Sequence, residues 1–221
     1  MSSPLGPVAV LVSGGLDSAV LLVEMARSAG RAVPLFVRAG HVWEDGERAA
    51  LDRFLAAVAE PGIAAVREIA MPMGDLYGPH WSMTGRGVPG WDAPLEAVEL
   101  RGRNLVLLVK ALVLAAIEGW RTLALGSLAD NPFPDATPAF FADLAAVASQ
   151  GLGARLEIVV PFRGLPKAEV IRRGRALPLE ATLSCARPDA AGRHCGTCSK
   201  CRERREAFAA AGVPDRTAYA G

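Results

Sequence analysis

Apolar positions along the chain fall into two kinds of block. Short continuous runs at 7–12 (PVAVLV), 31–38 (RAVPLFVR), 64–70, 121–127 (RTLALGS) and 156–162 (LEIVVPF) predict five buried strands. Between them the apolar residues recur at helical spacing. In 44–60 they are Ala49, Leu51, Phe54, Leu55 and Val58, and Pro61-Gly62 closes that helix. Further helices are predicted over 16–29, 104–118, 138–149, 167–175 and 199–211. Strands alternating with helices call for an α/β fold with a doubly wound parallel five-stranded sheet, which binds ligands outside the strand C-termini. One interval breaks the rhythm. Residues 71–102 carry no long periodic segment and are rich in Gly, Pro, Trp and Met, which predicts a binding or lid loop. No internal repeat or low-complexity linker is found.

Composition sharpens this picture only slightly. A chain of 221 residues, 51% hydrophobic and 21% charged, has ordinary globular content and buries a full core. No apolar run is long enough to span a bilayer, and MSSPLGP lacks the charged and apolar regions of a signal peptide, so a cytoplasmic protein is expected. The net charge of +1, from 24 Lys+Arg against 23 Asp+Glu, leaves little to gain from counterion release and argues against a nucleic-acid binder. Two local basic patches, RRGR at 172–175 and the group Arg202, Arg204 and Arg205, are read as solvated helix faces. Lysine is scarce: only Lys110, Lys167 and Lys200 occur.

Chemistry concentrates at the two ends. VSGGLDSAV, 12–20, follows the first strand at the place where such a sheet binds ligands. Gly14 and Gly15 can adopt positive φ and let a ligand approach the backbone. The exposed N–H groups and the helix N-terminus attract an anion, and Ser13 and Ser18 add hydroxyl donors. Asp17 would repel a bare phosphate, so it is expected either to cap backbone N–H groups or to partner a bound Mg²⁺. A capped strand-to-helix turn accounts for the composition equally well. Neither GK[ST] nor GxGxxG is present, which excludes the ordinary nucleotide loops.

All four cysteines lie near the other end, as Cys185-x9-Cys195-x2-Cys198-x2-Cys201. Four thiolates at ~2.3 Å around one tetrahedral Zn²⁺ fit that spacing, with Gly196 making the tight turn. Such a site would fold an otherwise loop-like tail; a redox CxxC pair is the competing reading. His194 is expected to be a bystander, because four thiolates already saturate the ion.

SGGLDS resembles the pyrophosphate loop of the N-type ATP pyrophosphatases, whose fold is adenine nucleotide alpha hydrolase-like. Together with the cysteine spacing and the following Arg205 and Phe208, it resembles the 7-cyano-7-deazaguanine synthases of the queuosine pathway. GRN at 102–104, GSLADNPFPDA at 126–136, PFRGLPKAEV at 161–170 and TLSC at 182–185 follow in family order, so the likeness covers nearly the whole chain.

The resemblance implies an ATP-dependent carbon–nitrogen ligase. ATP adenylates the carboxylate of 7-carboxy-7-deazaguanine with release of pyrophosphate, ammonia attacks the acyl-adenylate, and a second adenylation turns the amide into a nitrile. It implies that Ser13, Gly14, Gly15, Leu16 and Ser18 hold the phosphates and that Asp17, Lys167 and Arg103 act in catalysis. It further implies structural zinc on the four cysteines, ATP with Mg²⁺, and a homodimer. An ATP pyrophosphatase domain over 1–180 and a zinc-binding segment over 181–221 are expected. Alternatives that stay open are a ligase joining the acyl group to another small-molecule or protein amine, a tRNA sulfur transferase, and a catalytically idle scaffold.

The chain departs from the family after the second strand, where RAGHVWEDGE (38–47) replaces a Tyr-Gly-Gln segment. It departs again at Phe133-Pro134-Asp135-Ala136-Thr137, where the family has Tyr-Pro-Asp-Cys-Arg; Asp130 best matches the preceding acidic residue. Trp43, Trp81 and Trp91 lie in the variable loops and either stack a heterocycle or pack beneath those loops.

Overall fold

The computed structural model describes residues 6–220; the first five residues of the MSSPLGP stretch and Gly221 lie outside the described residues. Five strands form the sheet: β1 (Val8–Val12), β2 (Ala32–Arg38), β3 (Arg67–Ala70), β4 (Thr122–Ala124) and β5 (Glu157–Val159). Their order is β3-β2-β1-β4-β5 and all neighbours run parallel. The chain winds outward from β1 to β3, returns to β4 on the other side of β1, and continues to β5. The β1–β4 boundary is therefore the switch point, the place where this class of sheet opens a ligand crevice.

The helices are α1 (Leu16–Ala29), α2 (Glu44–Val58), α3 (Gly74–Tyr77), α4 (Trp81–Thr84), α5 (Arg103–Glu118), α6 (Pro138–Leu152), α7 (Lys167–Arg173) and α8 (Ser199–Ala211). Alternation along β1 sorts them into two layers. Val8, Val10 and Val12 face a core shared with Leu16 and Val20 of α1, Val170 of α7 and Phe208 of α8. Ala9 turns to the other side, where Leu108 and Leu112 of α5 and Phe141 of α6 pack. Both faces of β1 are covered, which is why its sequence reads as an unbroken apolar run. Capping sets the start of α6: Thr137 Oγ1 accepts from the Phe140 N–H at 3.2 Å, and Pro138 takes the first helical position.

The five expected strands and six expected helices, the one from Lys167 short, are all present, with strand ends trimmed by up to three residues. The 71–102 loop is more ordered than its pattern predicts. It contains α3, α4 and a 3₁₀ turn (Leu95–Val98), and it is tied over the strand C-termini. Met73 is fully buried and its N–H donates to Ala39 O at 2.9 Å; Val42 N–H donates to Ser82 O at 3.0 Å.

One basic patch is a solvated face and the other is not. Arg172 pairs with Glu169 at 2.7 Å and Arg173 approaches Glu24 at 3.6 Å, both partly exposed, as expected. Arg204, by contrast, is 0% exposed. It donates to Thr217 Oγ1 (2.8 Å), Thr182 Oγ1 (3.0 Å) and Leu179 O (2.8 Å), and its guanidinium lies 5.1 Å from the Phe208 ring centre. A buried Arg persists only when its donors are filled, and here they tie the chain end to the segment before the cysteines. Arg205 stacks over Tyr219 at 4.0 Å and over Trp91 at 5.8 Å, so half-buried Trp91 meets α8.

Candidate functional site

The site begins where β1 stops. Gly14 turns the chain with φ +71°, and a Cβ there would lie 2.0 Å from the Glu47 carbonyl oxygen, so no other residue fits. Gly15 does not use the positive φ expected of it. Its φ is −78°, and it serves as the N-cap of α1 with no side-chain cap. The first-turn N–H groups of α1 therefore receive no side-chain acceptor from their cap. The two serines brace the turn internally: Gly15 N–H donates to Ser13 Oγ at 3.3 Å, Ser13 N–H to Ser18 Oγ at 3.3 Å, and Ser18 Oγ–H to Gly15 O at 3.1 Å. Gly126, at the exit of β4, lets the neighbouring strand approach closely; a Cβ there would lie 3.3 Å from the Asp17 carbonyl carbon.

Asp17 does not cap backbone, which removes one of its two expected roles. Its Oδ2 lies 2.9 Å from Lys167 Nζ, while its Oδ1 is buried without a hydrogen-bond partner. Such an orphaned carboxylate oxygen fits the second expected role, a ligand to a hard cation such as Mg²⁺. Lys167 is no surface residue: its Nζ bridges Asp17 and Glu203, the latter at 2.5 Å, and Glu203 also holds Lys200 at 2.9 Å. Burial works against the charge on Lys167, but Asp17 and Glu203 outweigh it and raise its pKa. Burial likewise opposes the Glu203 carboxylate, yet the charges of Lys167 and Lys200 hold its pKa down at about 2. Sequence reasoning missed Glu203. Its signal was the one-turn spacing from Lys200 on a helix that begins at the cysteines.

A cavity of about 360 Å³ opens on this network. It is lined by Ser13, Gly15, Leu16, Asp17, Ser18, Lys167 and Arg103 among others, so the expected residues converge there. Gly14 acts through its backbone turn, and Leu16, 1% exposed, doubles as core. A second cavity of about 490 Å³ shares Asp17, Arg103, Lys167 and Lys200 with the first and extends toward Phe133, Asp130 and Glu203. Asp135 faces this second space and also caps α5: the Asn104 N–H donates to its Oδ2 at 2.9 Å. Trp43 and Trp81 line the first cavity and stack on each other, ring centres 5.4 Å apart.

The cysteine segment closes against the loop, since Leu183 N–H donates to Gly14 O at 2.9 Å. Cys185, Cys195, Cys198 and Cys201 place their sulfurs within 4.8 Å of one another, with closest pairs at 3.5, 3.9 and 4.0 Å. Tetrahedral zinc thiolates sit about 3.8 Å apart, as simple geometry from a 2.3 Å bond gives, so the donor set fits one ion. The sulfurs receive N–H donors from Arg187 at 3.4 Å and Cys195 at 3.3 Å, both to Cys185, which steadies a thiolate. Crowded so closely, the thiols titrate together: hydrogen bonds from Cys185 and Cys201 acidify Cys198, while the contact with Cys198 pushes Cys185 up. His194 is a bystander, as expected. Its Nε2 accepts from the Ser184 N–H at 2.9 Å, and burial lowers its pKa to about 4.

Residues 7–212 match the family model described as queuosine biosynthesis protein QueC. The chain is 38% identical to 7-cyano-7-deazaguanine synthase from Thiobacillus denitrificans, over 96% of this chain and 97% of that one. It is 35% identical to the protein of the same name from Dechloromonas aromatica, over 95% and 96%. Among solved structures, the U34-tRNA thiolase NcsA from Methanococcus maripaludis, with its [4Fe-4S] cluster, superposes with a TM-score of 0.52 at 18% identity. That match covers 96% of this chain and 75% of that one, and it bears on the fold alone. No helix among the described residues is long and apolar enough to cross a membrane.

Proposed function

The chain belongs to the QueC family of queuosine biosynthesis proteins, and on that premise we propose that it is an ATP-dependent carbon–nitrogen ligase converting 7-carboxy-7-deazaguanine and ammonia to 7-cyano-7-deazaguanine. The observation that carries this reading is the convergence of the glycine loop, Asp17, Lys167 and Arg103 on one cavity at the sheet's switch point. The pyrophosphate end of ATP sits in the loop, on the backbone N–H groups and the α1 N-terminus. Lys167, kept charged by its two carboxylates, and Arg103 face the phosphates and stabilise the charge that grows on departing pyrophosphate. A Mg²⁺ held by Asp17 would neutralise charge on that same group.

The substrate carboxylate oxygen attacks the α-phosphorus, and the bond to the β-phosphate bridging oxygen breaks. Ammonia then adds to the acyl carbon, gives up a proton and expels AMP, leaving the amide. In the second round the amide oxygen takes an adenylyl group and leaves with it as AMP, while nitrogen loses its two protons and the nitrile forms. Packing of the 71–102 segment over the strand ends shields the acyl-adenylate from water. The four cysteines hold one structural Zn²⁺, apart from the chemistry; their spacing favours a single ion over an iron–sulfur cluster, which would spread its thiolates further. In this reading residues 1–180 form the activating domain, 181–221 form the zinc segment, and the protein works in the cytoplasm as a homodimer.

The test is a screen for substrate-dependent pyrophosphate release. Release should require 7-carboxy-7-deazaguanine, and the nitrile should form only with ammonium. Acid-dependent release with no nitrile, accompanied by a conjugate when other amines are supplied, would move the chain to the alternative acceptor. Absence of release with every acid would overturn the activity.

A further inference from the structure

The first cavity contains polar groups that adenylation leaves unused, and their role rests on the proposed reading of that cavity. His41, just past β2, is 5% exposed, and neither of its ring nitrogens has a hydrogen-bond partner of sound geometry, the Ser82 backbone acting on the ring only weakly. Its ring lies in a stack between Trp43 (4.8 Å, 13°) and Tyr77 (6.4 Å, 19°), and Trp81 extends the row beyond Trp43. Glu47, one helical turn beyond Trp43, lines the same cavity. Among the described residues no hydrogen bond reaches its carboxyl. Arg103, which the adenylation step already uses, borders the group: its Nε is buried without a partner, and its charge acts on both His41 and Glu47.

Unmet buried polar atoms are costly, and the two ring nitrogens of His41 with Nε of Arg103 around one space point to something that fills them. Burial pushes Glu47 up to about 8, and burial with the nearby Arg103 pushes His41 down to about 3. Near neutral pH Glu47 is mostly an un-ionised acid and His41 a neutral ring, each able to donate one hydrogen bond and accept another. A phosphate offers acceptors only and would leave half of this set unmatched. A flat ring with alternating donors and acceptors on its edge matches it, and the indole row supplies an apolar wall.

We propose that His41 and Glu47, beside Trp43 and Trp81, form the recognition subsite for the aminopyrimidine edge of a bound purine-type ring. That edge, an exocyclic amine next to a ring nitrogen, occurs in the adenine of ATP and in the deazapurine acid. Specificity here follows from unpaired polar groups: a ring lacking the amine leaves Glu47 unfilled.

The experiment uses the full chain with Glu47→Leu and His41→Phe, and Glu47→Gln as the variant that keeps a donor and an acceptor. Pyrophosphate release is measured while ATP and 7-carboxy-7-deazaguanine are varied in turn, and binding of each alone is followed by quenching of tryptophan fluorescence. For one of the two ligands, Glu47→Leu should raise KM and Kd about tenfold to a hundredfold while kcat changes far less, and Glu47→Gln, whose amide also donates and accepts, should restore most of that loss. That penalty should vanish with the analogue lacking the amine, purine riboside triphosphate in one arm and the 2-deamino acid in the other. The arm that responds names the ring. Unchanged binding of both ligands in folded Glu47→Leu and His41→Phe would overturn the proposal, as would equal penalties for parent and deamino analogue. Wild-type protein that binds a ring with this signature but releases no pyrophosphate would sink the activity reading while upholding the subsite.

Discussion

The glycine loop and the cysteine segment touch through a single backbone hydrogen bond, Leu183 to Gly14, yet different forces shape them. The loop is clamped between β1 and α1, with the α2 carbonyl of Glu47 pressed against Gly14. Its form comes from the sheet, and it turns unfilled donors to the cavity. The cysteine segment has no regular element between the 3₁₀ turn (Leu179–Ala181) and α8. Backbone bonds, the Arg204 staple, the Asp189–Arg193 pair, the Ser184–His194 bond and a small apolar cluster around Leu183 hold it, and four sulfurs converge at its centre. A site framed by a sheet can lose a functional side chain and stay folded. A site framed by its ligands loses both together.

Cys198→Ser is the variant expected to separate the two regions most sharply. It removes one of the four candidate ligands; structural zinc sites of this kind bind with roughly 10–16 kcal/mol, so with the proposed ion metal content should fall toward zero and soluble yield with it. Elemental analysis and yield decide this; a soluble, active, metal-free protein would contradict the structural role. His194→Ala, a few ångströms away, should keep a full complement of metal.

Asp17→Ala should do the reverse. Pyrophosphate release is expected to drop about a thousandfold, whereas the fold survives because Glu203 still pairs with Lys167. Circular dichroism and a thermal melt check the fold, and single-turnover assays check the rate. An unchanged rate would remove Asp17 from the chemistry.

A smaller effect sits on the link between the regions. The Glu203 carboxyl is held at about 2 against an ordinary value of 4.5. A depressed carboxylate contributes stability that is present above pH 4.5 and lost as pH falls through 2. Wild type should therefore lose stability more steeply than Glu203→Gln across that window. Metal loss in acid is common to both proteins, so the difference between them reports Glu203. The smallest effect belongs to a site distant from both: Thr137→Ala should cost about 1 kcal/mol by uncapping α6, with activity intact.

Much of this architecture was legible in the sequence because buried parallel strands leave continuous apolar runs and amphipathic helices leave periodic ones. The glycine loop and the cysteine spacing were legible for a different reason, since each requires particular residue types at fixed intervals. What escaped was non-local. One-turn helices such as α3 and α4 are too short to show a period. Arg204 reads as surface until Thr182 and Thr217, 22 and 13 residues away, fill its donors. Glu203 reads as an ordinary helix-face charge until Lys167 arrives from α7. His41 and Glu47 lie in the stretch that departs from the family pattern; the available signal was position, an imidazole and a carboxyl just beyond a strand end at the ligand edge of the sheet.

The central claim is that the loop after β1 grips the two terminal phosphoryl groups of ATP as one leaving group. Phosphorus NMR of a complete turnover mixture measures this directly. The account expects AMP and pyrophosphate in equal amounts, formed only when a carboxylate substrate is present. ADP and orthophosphate would contradict it.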